Sequence, residues 1–223
     1  MRKDKAPGPA AREHTKRRSP VWGWRFVLPV LILAIVLTSV LRALVIDVFF
    51  IPSASMEPLL RQGDRILVSK SAFGDRPIQR GDVIVFDGRG SFDPISDPRS
   101  TAQKAAGMVG QWLGLRGSDT VYVKRVIGVG GDQVKCCGED GRVSVNGRAL
   151  DEPYISAGDA PSETPFDVTV PEGRLWVMGD HRSESADSRA LLGAPGGGFV
   201  SEERVLGRAE HLVWPLDRAG AIE

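Results

Sequence analysis

The feature that most constrains the fold is an apolar run near the N-terminus. Between Val21 and Leu41 the only charged residue is Arg25. At about 1.5 Å per residue, roughly 20 helical residues cover the hydrocarbon core of a bilayer, which is about 30 Å thick. The run therefore predicts a membrane-spanning helix over residues 22–42.

The charge distribution predicts the orientation of this helix. Residues 1–25 carry eight basic and two acidic side chains, a net charge of +6, whereas the whole chain has a net charge of only +1. Positively charged flanks stay on the cytoplasmic side of a membrane. Residues 1–21 are therefore predicted to be a disordered cytoplasmic tail, and the chain beyond Arg42 is predicted to be extracytoplasmic. A whole-chain charge near zero argues against nucleic-acid binding.

Two other interpretations of the apolar run fit the sequence less well. A cleaved secretory signal has a site of small residues soon after its apolar segment, and Ser53-Ala-Ser55 lies about a dozen residues too far on. A buried core helix is the second alternative, but the run lacks a polar face and has a strongly basic flank. An uncleaved anchor is the expectation that fits both the length of the run and its basic flank.

Residues 43–223 are predicted to form a mostly β domain. Short apolar runs alternate with turns rich in Gly and Asp, as in residues 121–127 and 205–214. Asn146-Gly147 between two such runs predicts a two-residue β-hairpin. Residues 87–120 are the exception and are expected to be an irregular insert with a short helix over residues 101–115.

Three polar segments can carry chemistry. Residues 51–58 hold two serines, Ser53 and Ser55, which can supply a nucleophile and a neighbouring hydrogen-bond donor, although a juxtamembrane linker has the same composition. Lys124 lies in a strand that is apolar on both faces, where lost solvation favours the neutral amine that a general base requires. An edge-strand lysine that prevents aggregation is the alternative.

The third segment, residues 178–189, mixes serines with Asp and Arg residues, and it suits either a rigid hydrogen-bonded network or a solvated loop. The chain has no Gly-x-Ser-x-Gly nucleophile elbow and no His-rich metal motif. Cys136 and Cys137 are adjacent, which leaves open a vicinal disulfide, free thiols or intermolecular pairing.

Taken together, these segments resemble the type I signal peptidase family, which are membrane-bound serine proteases. The matching segments occur in the family's order behind an N-terminal anchor: Ser53–Pro58, Gly63–Val68, Arg80–Phe86, Tyr122–Asp132, Gly179-Asp180 and Ser185–Arg189. The resemblance implies a mostly β fold, with a catalytic β domain and a small β cap over residues 132–175, preceded by one N-terminal transmembrane helix.

The resemblance also implies residue roles. Ser55 matches the nucleophile and Lys124 the general base. Ser53 matches the side-chain donor of the oxyanion hole, and Ser185 matches the hydroxyl that orients the lysine. Four residues match positions that hold the family's active site together: Asp180, Asp187, Arg189 and Arg125. Residues that match the pockets for small substrate side chains are Ile51, Pro52, Met56, Leu60, Tyr122 and Val123.

The implied function is an endopeptidase that removes N-terminal signal peptides from exported preproteins at the outer face of the membrane. It needs no cofactor and no metal. The implied partners are the signal-peptide region with small residues at −1 and −3, the lipid bilayer, and the secretion translocon as a further candidate. The implied location is the plasma membrane, in a single-pass topology.

The chain departs from the family pattern at three positions. Ala54 replaces a common Gly, His181 a common Asn, and Gly130 a usual Pro. None of these changes removes Ser55 or Lys124. Two alternatives remain: a self-cleaving protein like the SOS repressors, which use the same pair of residue types, and an anchored β domain that binds peptides without cleaving them.

Overall fold

The structure is a computed structural model that describes residues 21–44, 46–74, 76–93 and 120–222. The predicted cytoplasmic tail up to residue 20 and the predicted helix over residues 101–115 lie outside these ranges. The chain divides into two compact units, residues 1–40 and residues 41–223. All the strands described below belong to the second unit.

Helix α1 spans Val21–Leu44 and contains Pro29. Side chains are described for residues 26–38 of this helix, and its large apolar side chains are between 51% and 64% exposed. No helix in the described part of the chain is both long enough and apolar enough to cross a membrane. The predicted anchor over residues 22–42 therefore stays a prediction.

The rest of the described chain is mostly β, as predicted. Its strands are β1 (Ile46–Phe50), β2 (Arg65–Ser69), β3 (Val83–Asp87), β4 (Val121–Val129), β5 (Gln133–Cys136), β6 (Ser144–Val145), β7 (Arg148–Ala149), β8 (Phe166–Thr169), β9 (Arg174–Met178), β10 (Val200–Ser201), β11 (Val205–Trp214) and β12 (Gly220–Ala221). Short 3₁₀ helices follow at Arg182–Glu184, Glu202–Arg204 and Leu216–Arg218.

Two antiparallel sheets are built from these strands. The larger sheet has the order β1-β2-β11-β3-β4-β9-β10, with β12 paired to β11, and the smaller has the order β7-β6-β5-β8. Strand β4 lies between β3 and β9, and its register places Lys124 opposite Ile84. Residues 124–128 of β4 are buried, so both faces of this part of the strand are shielded from solvent, as expected for a strand that is apolar on both faces.

The smaller sheet falls within the segment predicted to be a cap. Its β6–β7 hairpin turns at Asn146 and Gly147, which have φ values of 53° and 77°, so the predicted two-residue turn is present. Val134 of β5 and Phe166 of β8 share one buried cluster with Trp176 of β9, so the small sheet packs against the large one. Cys136 and Cys137 are joined by a disulfide.

Candidate active site

A serine and a lysine meet in the interior of the β domain. Lys124 Nζ donates a hydrogen bond to Ser55 Oγ at 2.7 Å, although the two residues are 69 positions apart in the chain. Ser55 is 7% exposed and Lys124 is 3% exposed. Strand β4 supplies the lysine, and the turn that follows β1 supplies the serine.

The turn that carries Ser55 is fixed by backbone hydrogen bonds and by its apolar face. Ile51 N donates to Asp64 O, and Gly63 N donates to Ile51 O, both at 2.9 Å. Ile51, Met56 and Leu60 are buried in the core beside β2 and β3. Because the apolar side chains face inward, the turn has a defined position from which Ser55 reaches β4.

Burial changes the titration of the lysine. Removal of its ammonium group from water lowers the pKa of Lys124 from 10.5 to about 8, while the carboxylates of Asp187 and Asp180 act in the opposite direction and the Arg189 guanidinium lowers it further. A pKa near 8 leaves a usable fraction of neutral amine at neutral pH. A neutral amine beside a serine hydroxyl is an arrangement that can activate the oxygen as a nucleophile.

Two buried ion pairs surround the lysine. Arg125 donates two hydrogen bonds to Asp180, at 2.9 and 2.8 Å, and Arg189 donates two to Asp187, both at 2.8 Å. Both carboxylates are fully buried. Asp187 also accepts a hydrogen bond from the backbone N–H of Gly179 at 3.0 Å. Buried charges with their hydrogen bonds satisfied hold the segment after β9 in one conformation.

Gly179 allows this segment to approach the serine. A Cβ at position 179 would overlap the Ser55 carbonyl oxygen and the Ser185 hydroxyl oxygen. Ser185 Oγ is buried and has no hydrogen-bond partner in the described part of the chain. The structure therefore brings Ser185 into the site without the hydrogen bond to Lys124 that its predicted orienting role requires.

The other predicted residues lie in different surroundings. Ser53 is exposed, and its hydroxyl oxygen lies 3.4 Å from that of Ser55. Of the six predicted pocket residues, three belong to the core (Ile51, Met56 and Leu60), one is exposed (Pro52), and two are partly buried on β4 (Tyr122 and Val123). Tyr122 packs against the rings of Phe86 and Phe92.

Sequence reasoning missed several supporting side chains. The Arg125 guanidinium lies 4.2 Å from the centre of the Tyr154 ring, a cation–π contact. Glu152 forms a buried ion pair with Arg182. Arg218 donates to both carboxylate oxygens of Asp64, at 2.9 and 2.8 Å, and so ties the C-terminal region to the serine turn. Each contact joins segments at least 29 residues apart, and no local pattern signals such pairs.

Among the described residues, no group of three His, Cys, Asp or Glu side chains is placed to hold a metal ion. The chemistry available at the site is that of the hydroxyl, the amine and the backbone N–H groups around Ser55. A buried amine held against a serine hydroxyl is an arrangement that can support nucleophilic catalysis.

Comparison with known proteins identifies the family. The family model for "Signal peptidase, peptidase S26" matches residues 24–214. The chain belongs to this family of signal peptidases.

Named relatives cover most of the chain. A probable signal peptidase I of Mycobacterium leprae is 36% identical, over 93% of this chain and 81% of the relative. Signal peptidase I of Mycobacterium tuberculosis is 39% identical, over 86% of this chain and 72% of the relative. A crystal structure of an Enterococcus faecalis signal peptidase I matches 60% of this chain and 97% of its own, at 26% identity and a TM-score of 0.38.

Proposed function

We propose that this chain is a serine endopeptidase that removes signal peptides from exported preproteins, with Ser55 as the nucleophile and Lys124 as the general base. The observation that carries the proposal is the 2.7 Å hydrogen bond between the buried Lys124 amine and the Ser55 hydroxyl. The relatives named signal peptidase I supply the substrate class.

The reaction is an acyl transfer in two stages. Lys124 Nζ takes the Ser55 proton as Oγ forms a bond to the scissile carbonyl carbon, and the carbonyl oxygen becomes an oxyanion. Collapse of this intermediate breaks the C–N bond, and the leaving amine takes the proton from Lys124. A water molecule, deprotonated by Lys124 Nζ, then attacks the carbonyl carbon of the acyl-enzyme. The ester C–O bond breaks, Ser55 Oγ takes the proton back from Lys124, and the signal peptide leaves with a free carboxyl group.

The oxyanion requires donors that are not already engaged. The Ser55 backbone N–H donates to no acceptor in the described part of the chain, so it can donate a hydrogen bond to the oxyanion. Ser53 Oγ lies beside Ser55 Oγ and provides the second donor. Small substrate residues at −1 and −3 are inferred from the family resemblance.

The alternative of a peptide-binding domain without catalysis predicts an ordinary lysine. Lys124 is instead deeply buried, and its lowered pKa favours the enzyme. A structural lysine has no need to be held against a serine hydroxyl at the cost of desolvation.

The decisive experiment uses the purified full-length chain in detergent with a peptide that spans a signal-peptide cleavage site. Ser55→Ala and Lys124→Ala are expected to abolish cleavage. Ser71→Ala and Lys135→Ala, at exposed positions away from the site, serve as matched controls and are expected to cleave at the wild-type rate. Cleavage that survives either Ser55→Ala or Lys124→Ala contradicts the proposed mechanism.

We also infer that residues 22–42 anchor the chain in the plasma membrane, with residues 1–21 cytoplasmic and residues 43–223 extracytoplasmic. The apolar composition of the run and its basic flank support this topology. The exposed apolar side chains of residues 26–38 are suited to contact with lipid. The protein is expected to stay in the membrane fraction after alkaline carbonate washing, and its release by that wash would contradict the inference.

A further inference from the structure

We propose that His181 is a positioning residue that aims the backbone donor of the oxyanion hole. The inference rests on the proposed function, in which the Ser55 N–H stabilises the oxyanion. His181 follows β9 at a position where the sequence departs from the family pattern. It contacts Ala54 and Ser55, the two residues that are joined by the peptide bond containing this N–H.

Two groups of His181 hold the serine turn. Its ring nitrogen Nδ1 lies 3.3 Å from the carbonyl oxygen of Ala54, and its backbone N–H donates to the carbonyl oxygen of Ser55 at 3.2 Å. The Ala54 carbonyl oxygen also accepts a hydrogen bond from Glu57 N at 2.9 Å. The carbonyl groups on both sides of the Ser55 α-carbon are therefore tied to residue 181.

The geometry of a peptide bond converts this contact into a catalytic effect. The Ala54 carbonyl and the Ser55 N–H belong to one planar unit, and in a trans peptide they point in opposite directions. A donor that fixes the oxygen of this unit also fixes the direction of its N–H. Because the Ser55 N–H has no acceptor of its own in the described residues, the bonds to the Ala54 oxygen are what hold it in place.

The contact also determines where the imidazole proton lies. A carbonyl oxygen only accepts hydrogen bonds, so Nδ1 must carry a hydrogen. The amide nitrogen of an asparagine is bonded to Cγ, as Nδ1 of histidine is, and it can place a donor at nearly the same point. A glutamine amide lies one bond farther out, an aspartate places an acceptor against the Ala54 oxygen, and a leucine has no donor.

These differences define a set of variants. His181→Leu is expected to lower kcat by about 10- to 100-fold with KM unchanged, since a misdirected oxyanion donor loses part of its effect. His181→Asn is expected to retain kcat within about threefold of the wild type, and His181→Asp to be at least as slow as His181→Leu. If His181 had a purely structural role, its replacement by Leu would instead lower the unfolding temperature and change KM and kcat together.

A second readout tests the oxyanion directly. A peptide aldehyde forms a hemiacetal with the serine, and its oxyanion occupies the same hole as that of the reaction. Its inhibition constant is expected to rise in His181→Leu by the factor by which kcat falls. The affinity of an uncleavable peptide without the aldehyde is expected to stay the same.

The outcomes separate this inference from the proposed function. The role of His181 is overturned if His181→Leu keeps the wild-type kcat, or if His181→Asn is as slow as His181→Leu. Either result leaves the proposed function intact as long as Ser55→Ala abolishes cleavage. Full cleavage by Ser55→Ala overturns the proposed function and this inference together. Should His181→Leu fail to fold, His181→Gln takes its place, and it must be slower than His181→Asn for the inference to stand.

Discussion

The titration of Lys124 provides the most direct measurement of the proposed base. With a pKa of about 8, roughly one lysine in ten is neutral at pH 7. At the ordinary value of 10.5 the neutral fraction at pH 7 would be about one in 3,000, so burial raises it by about 300-fold. The rate of cleavage is therefore expected to rise about tenfold per pH unit below about pH 7.5 and to level off above about pH 8.5.

The same burial makes a prediction about stability. The unfolded chain holds the lysine proton up to about pH 10.5, whereas the folded chain releases it near pH 8. Between these values the unfolded state binds more protons, so stability rises with pH, by about 3 kcal/mol in total. Below pH 8 the folded state carries a buried ammonium group, which lowers its stability by the same amount, about 3 kcal/mol. Lys124→Met removes the ionisable group, and its stability relative to the wild type is expected to be greatest and constant below about pH 8 and to fall as the pH rises towards 10.5.

The assay combines kinetics with unfolding. Single-turnover cleavage of a signal-site peptide is measured between about pH 6 and pH 9.5, and urea unfolding of the wild type and Lys124→Met is compared across the same range. Lys135→Met, which replaces a side chain 55% exposed, is the control and is expected to leave both pH profiles unchanged. A rate that is flat from pH 6 to pH 9.5, or a stability difference for Lys124→Met that does not change with pH, refutes the reasoning.

Two further substitutions test how the site is held. Gly179→Ala is expected to cost about 1–3 kcal/mol in urea unfolding and to abolish peptide cleavage, because its Cβ would displace the Ser55 carbonyl; Gly220→Ala, whose Cβ meets open space, is expected to change neither. Asp180→Asn leaves the buried Arg125 without its counter-charge and is expected to cost about 3–5 kcal/mol in the same unfolding assay. Asp167→Asn, in an exposed ion pair, is expected to leave the unfolding midpoint unchanged. A similar loss of stability in Asp180→Asn and Asp167→Asn would contradict the reasoning.

The sequence predicted those parts of the site that have a local signature. Lys124 could be singled out because period-two alternation shows that both faces of its strand are apolar, and the strand is indeed interior to the sheet. Asn146-Gly147 could be read as a hairpin because few residue pairs adopt two successive positive φ values. In both cases the determining physics acts within a few residues.

The parts that could not be predicted depend on contacts between distant segments. The family resemblance implied that Ile51, Met56 and Leu60 line substrate pockets, and their apolar residue types alone do not distinguish lining a pocket from packing in the core, where the structure places them. The cation–π contact of Tyr154 with Arg125 joins the cap segment to β4 across a gap with no pattern in the sequence. The unpartnered hydroxyl of Ser185 has the same origin, because its surroundings depend on how closely Gly179 approaches the serine turn.

The position of Ser55, the proposed nucleophile, is expected to depend on one such distant contact. Arg218 donates to the Asp64 carboxylate and, at 3.0 Å, to the carbonyl oxygen of Leu59, so the C-terminal region holds the far end of the turn that carries Ser55. Arg218→Met keeps much of the side-chain volume but removes these donors, and it is expected to destabilise the fold by about 1–3 kcal/mol, because hydrogen bonds to charged groups are the stronger ones. A turn that is less firmly held positions the Ser55 hydroxyl less well against Lys124, so kcat is expected to fall more than KM rises. Arg142→Met, in an exposed pair with Asp140, is the matched control, and equal effects of the two substitutions on kcat would show that the C-terminal contact does not position the nucleophile.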